Sequence, residues 1–226
     1  MIAIIDYGMG NLRSVEKALE LVGAKTKVTS NPADLAGCDK LVFPGVGAFG
    51  DAMRELKSLR LVDPIKDAIK DGKLFLGLCL GMQLLFDNSD EAPGVKGLSV
   101  LKGGVKRFKF AKSGLKVPHM GWNTIVHSPF TIGRGQKIFA GVSDNSYVYF
   151  VHSYYVKPKD RDVVLTTTDY GIEFVSGVRK DNIYGFQFHP EKSQDVGIKI
   201  LENFVKLEPR RAKVRGSILS GFPGGD

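Results

Sequence analysis

Cysteine is scarce in this chain: its 226 residues include only Cys38 and Cys79. Two thiols cannot build a disulfide scaffold, and no four-ligand Cys/His cluster is present to hold structural zinc. Long apolar runs are missing too. The longest, Leu74 to Met82, falls far short of a membrane span. The start, Met1-Ile2-Ala3-Ile4-Ile5-Asp6, carries no charged leader and reads as a first strand, so a reducing cytoplasm is the expected compartment. Acidic residues are absent from Ala92 to Ser143, a stretch with nine Lys and Arg against a whole-chain excess of +8. A solvated face, an acidic protein partner and nucleic acid all suit such a stretch. Phe108 and Phe110 interleave with the bases, yet no DNA- or RNA-binding motif accompanies them. Nucleic acid therefore ranks last, and neither a nucleic-acid nor a membrane partner is expected.

What is present suits a globular protein with one large core, since 43% of the residues are hydrophobic and 25% charged. Ile2 to Asp6 reads as a buried strand, and Asn11 to Val22 as a helix with Leu12, Val15, Leu19 and Val22 at helical spacing. The Gly8-Met9-Gly10 between them suggests a dinucleotide fingerprint, but Arg13 occupies the third glycine position. No acidic residue ends the next strand, Thr26 to Ser30. Nicotinamide binding is rejected, and Asn11 is left as a helix cap. Lys40 to Phe43 is a third strand; Asp51 to Leu59 and Asp63 to Ile69 are helices. This alternation predicts an α/β fold with a mixed, largely parallel central sheet flanked by helices. After residue 95 the strand-like runs crowd together: Ser99 to Leu101, Val105 to Phe110, Trp122 to His127, Tyr147 to Val156, Val163 to Thr168, Phe174 to Arg179 and Ile183 to Phe188. The second half is therefore expected to be rich in antiparallel strands. Gln194 to Lys206 is a final helix with Ser193 as its cap. One domain over 1–206 and a flexible basic tail over 207–226 complete the expected organisation.

The stretch that organises the rest is Lys73 to Phe86. Leu74, Phe75 and Leu76 form a buried strand, Gly77 and Gly81 bracket Cys79, and a helix begins behind it. Gly-x-Cys-x-Gly between strand and helix is the cysteine form of a nucleophile elbow. A helix N-terminus beneath the sulfur favours the thiolate. The plain alternative is an inert buried cysteine in a glycine-containing core segment. Pro44-Gly45-Val46-Gly47 follows the third strand and implies an unusual backbone path. Hydrolases with such an elbow take one oxyanion donor from the residue after the nucleophile and another from a neighbouring strand-to-helix loop. Here those are the N–H of Leu80 and that of Val46 or Gly47.

A thiolate nucleophile needs a base, and the base an orienting group. Of four histidines, His189 closes a strand, where parallel-sheet sites gather. Glu191 lies two residues beyond, close enough to hold the imidazole in one tautomer, with either Nε2 or Nδ1 left free.

Gly-Leu-Cys-Leu-Gly-Met-Gln at 77–83, Pro-Gly-Val-Gly at 44–47 and His-Pro-Glu-Lys-Ser at 189–193 resemble the class I (triad) glutamine amidotransferases. Asp-Tyr-Gly-Met-Gly-Asn-Leu at 6–12, Pro-His-Met-Gly-Trp-Asn at 118–123 and Tyr-Phe-Val-His-Ser-Tyr-Tyr at 149–155 are more specific. They are similar to one branch, the glutaminase subunits of imidazole glycerol phosphate synthases. The resemblance implies that Cys79 attacks the side-chain amide of L-glutamine and that His189, oriented by Glu191, moves the protons. It implies a substrate pocket that includes Gly45, Gln83, His152, Ser153 and Tyr154. It also implies a (β/α)₈-barrel cyclase as heterodimer partner, meeting the chain near Asn11, Trp122 and Lys192, and no cofactor or metal. A related glutaminase of pyridoxal phosphate synthesis, an unrelated cysteine hydrolase and a catalytically silent interaction module are the competing readings.

Overall fold

The computed structural model describes residues 1–110, 114–129 and 136–208. The first half alternates strand and helix: β1 (Ile2–Ile5), α1 (Leu12–Leu21), β2 (Thr26–Thr29), α2 (Pro32–Gly37), β3 (Lys40–Phe43), α3 (Phe49–Ser58), α4 (Val62–Lys70), β4 (Leu74–Leu78) and α5 (Leu80–Gln83). The second half is mostly strand: β5 (Asn88–Ser89), β6 (Gly103–Arg107), β7 (His119–His127), β8 (Ser146–His152), β9 (Tyr154–Pro158), β10 (Val164–Asp169), β11 (Glu173–Lys180) and β12 (Ile183–Phe186), closed by α6 (Gln194–Lys206).

These strands make one mixed sheet with the path β2-β1-β3-β4-β12-β11-β10-β7-β8. The first five run parallel, and from β12 onward each neighbour is antiparallel. β9 pairs with β11 and β6 off this path, and β5 pairs with β6. The inner parallel strands β1, β3 and β4 are buried on both faces, as their apolar runs require, while β2 at the edge is partly exposed. Ala3, Ile5, Leu41, Phe43 and Phe75 pack on one side with α3 and α4, and Ile2, Ile4, Val42, Leu74 and Leu76 on the other with α1 and α6. Ile200, Leu201 and Phe204 of α6 are fully buried, each contributing about 1.5–3 kcal/mol. The Lys40 ammonium reaches under the last turn of α6 and donates to the carbonyls of Phe204, Val205 and Leu207. It thereby satisfies acceptors that the end of the helix leaves open.

The expected architecture stands, with local corrections. Ser99 to Leu101 is not a strand. The N–H groups of Leu98, Val100 and Leu101 instead cap the Leu84 and Leu85 carbonyls behind α5, so this apolar segment plugs a helix end. Tyr147 to Val156 is not one strand but two. The chain changes partners at Ser153, with β8 on β7 and β9 on β6 and β11. α2 is a short helix that the apolar spacing does not announce; Asn31 caps it, and Pro32 opens it. Ser193 stands at the cap position of α6 but does not cap it with its side chain. Its hydroxyl donates to the His189 carbonyl at 2.6 Å and accepts from Tyr149 N–H at 3.0 Å. Most of the expected flexible tail, residues 209–226, lies outside the described residues.

Candidate active site

The parallel strands β4 and β12 are neighbours in register, Gly77 opposite Gly185 and Leu78 opposite Phe186. Their carboxyl ends therefore deliver Cys79 and His189 to the same edge. Cys79 sits between β4 and α5 with φ 51° and ψ −110°, and its N–H is tied to the Phe186 carbonyl at 2.7 Å. The flanking glycines supply room. A Cβ on Gly81 would stand 1.8 Å from the Phe43 carbonyl oxygen, and one on Gly77 2.8 Å from that of Gly81. The unusual dihedral belongs to the cysteine itself.

His189 is buried, and its Nδ1–H donates to Glu191 at 2.8 Å. That leaves Nε2, which has no hydrogen-bond partner, as the nitrogen free to exchange a proton with the thiol. Burial alone would push the imidazolium down. The Cys79 thiolate and the Glu191 carboxylate outweigh it and raise His189 to about 10. The second cysteine differs. Cys38 is buried, donates to the Leu35 carbonyl at 3.3 Å, and is raised by desolvation, so it has the character of an inert core thiol.

In front of Cys79 lies a cavity of about 330 Å³, lined among others by Val46, Gly47, Leu80, Gln83, His152, Ser153 and Tyr154. The structure thus gathers most of the expected pocket residues. Gln83 spends both its amide hydrogens on protein acceptors, the Tyr154 carbonyl at 3.1 Å and Gln187 Oε1 at 3.0 Å. Only its Oε1 remains available to a ligand. Leu80 N–H, an expected oxyanion donor, here donates to the Gly45 carbonyl at 3.4 Å. In a trans peptide the C=O and N–H point in opposite directions, so the Val46 N–H is turned away from Leu80. Gly45 is also held by space. A Cβ there would lie 2.5 Å from the Tyr7 hydroxyl, a buried group without a hydrogen-bond partner. Burial first, and the Cys79 charge second, hold Tyr7 above the ordinary tyrosine range.

Sequence reasoning missed two groups here. Glu91 lines the cavity and accepts from the Phe49 N–H, at the start of α3, at 2.8 Å. It belongs to no motif. Gln187 donates to Cys79 Sγ at 3.5 Å; a lone polar residue between Phe186 and Phe188, just before His189, was its only signal. The expected partner-facing residues also cluster. Trp122 is 46% exposed and packs edge-on against Tyr149, over which Lys192 Nζ stands at 5.9 Å. Asn11 caps α1, which packs on the Pro190–Lys192 turn.

A carboxyl-edge cysteine in an elbow, paired with a His–Glu couple from the adjacent parallel strand, defines a thiol amidotransferase class. A sequence profile described as glutamine amidotransferase class-I matches residues 3–207, and the chain belongs to that family. Within it, the chain is similar to proteins named imidazole glycerol phosphate synthase subunit HisH. It is 52% identical to that of Syntrophotalea carbinolica over 90% of this chain and 98% of the relative, and 49% identical to that of Methanocaldococcus jannaschii over 92% and 100%. It is 53% identical to that of Aquifex aeolicus over 89% and 94%. Among solved structures, one described as a glutamine amidotransferase superposes with a TM-score of 0.69 at 19% identity, covering 91% of this chain and all of the other. The glutaminase domain of a Trypanosoma brucei protein gives 0.62 at 17% over 91% and 93%. At such identities the likeness shows the fold. Among the described residues no helix is long and apolar enough to cross a membrane.

Proposed function

We infer that the chain is the glutaminase subunit of an imidazole glycerol phosphate synthase, working in the cytoplasm. It hydrolyses L-glutamine to L-glutamate and ammonia and passes the ammonia to a barrel cyclase subunit in histidine biosynthesis. The observation that carries this reading is the junction of Cys79 with the His189–Glu191 couple at one sheet edge, in a chain about half identical to HisH proteins along nearly its whole length.

The chemistry follows from that junction. The Cys79 thiolate attacks the side-chain amide carbon of glutamine, and the carbonyl oxygen becomes an oxyanion. As this intermediate collapses, the C–N bond breaks and His189 Nε2 gives its proton to the leaving ammonia. A thioester remains. His189, now neutral, takes a proton from water; the hydroxide adds to the thioester carbon, and glutamate leaves as the thiolate re-forms. Glu191 holds His189 by Nδ1 throughout, which keeps Nε2 aimed at the sulfur. Glu91 offers a carboxylate to the substrate's α-ammonium, and Gln83 Oε1 accepts from the substrate. For the oxyanion to be held, Leu80 N–H must exchange the Gly45 carbonyl for it, and the Gly45–Val46 peptide must turn its N–H inward.

An assay with the full chain and its cyclase partner tests this reading. Glutamate and ammonia should form in equal amounts, and a chloroketone analogue of glutamine should label Cys79. Labelling of Cys38 with Cys79 left free would overturn the assignment.

A further inference from the structure

Three polar groups close to the thiol are not used by the chemistry above: Gln187, His152 and, behind it, His119. All three are buried, and they belong to one hydrogen-bonded chain whose direction the structure determines. The chain is anchored on the Tyr154 carbonyl. That oxygen accepts from His152 Nδ1–H at 2.8 Å and from Gln83 Nε2–H at 3.1 Å, which fills both of its lone pairs.

Every other orientation then follows. Gln83 has one N–H left and gives it to Gln187 Oε1 at 3.0 Å. Gln187, with its oxygen so occupied, must turn its nitrogen to Cys79 Sγ, at 3.5 Å. On the other side, His152 donates through Nδ1, so its Nε2 is an acceptor and receives His119 Nδ1–H at 3.0 Å. His119 Nε2 is then an acceptor as well, and Asn123 Nδ2 supplies it at 3.3 Å. Asn123 is itself oriented by backbone. Its other amide hydrogen goes to the Asp169 carbonyl at 2.8 Å, and its oxygen accepts from Thr124 N–H at 2.8 Å. Donation therefore converges on the Tyr154 carbonyl from the histidine side, and runs outward from Gln83 through Gln187 to the sulfur on the other. Both imidazoles must be neutral for the chain to hold, and burial pushes His119 to about 4 and His152 to about 3.

We propose that Gln187 is a further catalytic residue of this site: its amide N–H holds the Cys79 thiolate, and Gln83, whose nitrogen is held by the Tyr154 carbonyl, fixes which end of that amide meets the sulfur. The physical stake is the amide's two-faced character. Turned one way it offers a donor that stabilises the thiolate; turned the other way it offers an oxygen that repels it. Gln83 is the positioning residue in this scheme, and the Asn123–His119–His152 arm ends on the same carbonyl. The inference rests on the reading that Cys79 is the nucleophile.

The experiment is alkylation of Cys79 in the full chain by iodoacetamide, followed by peptide mass spectrometry as a function of pH. The titratable groups around the thiol are His189 with Glu191 behind it, Tyr7, His152 and, lining the same cavity, Glu91, and all are kept in every variant. Gln187→Glu preserves shape and still accepts from Gln83 but sets an oxygen against the sulfur. Its alkylation at neutral pH should be about tenfold slower, and the pH profile should move to higher pH. Gln187→Met, which only removes the donor, should shift the same way by less. Gln83→Met keeps the length of the side chain but removes the donor that holds Gln187 Oε1. It should slow alkylation about threefold, the scale of one neutral hydrogen bond. Superimposable profiles for wild type and both Gln187 variants would overturn the proposal. If neither Gln187 variant folds, an unshifted profile in Gln83→Met overturns it equally. Failure of the wild type to label at Cys79 with a glutamine analogue would instead sink the nucleophile reading, so the two failures are distinguishable.

Discussion

The resting contact between Leu80 N–H and the Gly45 carbonyl makes a quantitative prediction about coupling to the partner. In this state neither Leu80 nor Val46 presents its N–H to the oxyanion, because Leu80 is engaged and the Val46 N–H is averted. Losing one such donor costs about 2.7–4 kcal/mol of transition-state stabilisation, or roughly 10²–10³ in kcat. The bond to be broken is weak. A neutral hydrogen bond is worth about 0.5–1.5 kcal/mol net, and 3.4 Å is beyond its optimum. A partner therefore needs only a modest preference for the open loop to shift the population. The perturbation is addition of the cyclase, then of the cyclase carrying its nucleotide substrate. Steady-state glutaminase assays of the three states should rise in that order, with the total increase in kcat at least about 10² if one donor is recovered. Equal kcat in all three would refute the argument and leave the Cys–His–Glu arrangement untouched.

Three further outcomes are expected. Cys79→Ala should abolish glutamine hydrolysis with the circular dichroism spectrum unchanged, while His189→Ala should lower turnover more than Glu191→Gln does, since the imidazole moves protons and the carboxylate orients it. In the pH profile of kcat/KM, the alkaline limb marks loss of the His189 proton near 10; Glu191→Gln removes one of the charges that raise it, so that limb should move to lower pH, and an unmoved limb would contradict the cause given for the shift. Lys40→Met should lower Tm by several degrees, because two α6 carbonyls and that of Leu207 just beyond lose a charged donor at roughly 1.5–3 kcal/mol per bond. Burial lowers the Lys40 pKa below its ordinary 10.5, so the folded state holds fewer protons than the unfolded one between the two values. Wild-type stability should gain a rising component with pH in that window, and the variant should lack it.

Where local pattern decides the structure, the sequence was readable. β3 and α6 fall on their predicted residues, because the apolar run Leu41-Val42-Phe43 and an unbroken 3.6-residue periodicity leave little choice. The elbow was legible because only glycine fits where Gly81 meets the Phe43 carbonyl and Gly77 meets the start of α5. What escaped depends on partners distant along the chain. Nothing local tells that Leu98 to Leu101 will cap a helix rather than pair as a strand, or that a strand will change neighbours at Ser153. Glu91 and Gln187 escaped for the same reason. Each acquires its role from a contact more than forty residues away, Glu91 with Phe49 and Gln187 with Cys79.

The backbone at Cys79 has a thermodynamic consequence of its own. A φ of 51° with ψ near −110° lies outside the regions open to a residue with a Cβ, and such conformations store about 1–3 kcal/mol. Only glycine adopts them freely. The nucleophile thus occupies a position where its own side chain opposes folding. Replacing it by glycine should give a dead protein that melts higher than the living one, whereas alanine, which keeps the Cβ, should not. The surrounding contacts, from the Phe186 carbonyl to the close approach of Gly81 on Phe43, hold a spring under tension, and the carboxyl end of β4 is where that tension puts the sulfur.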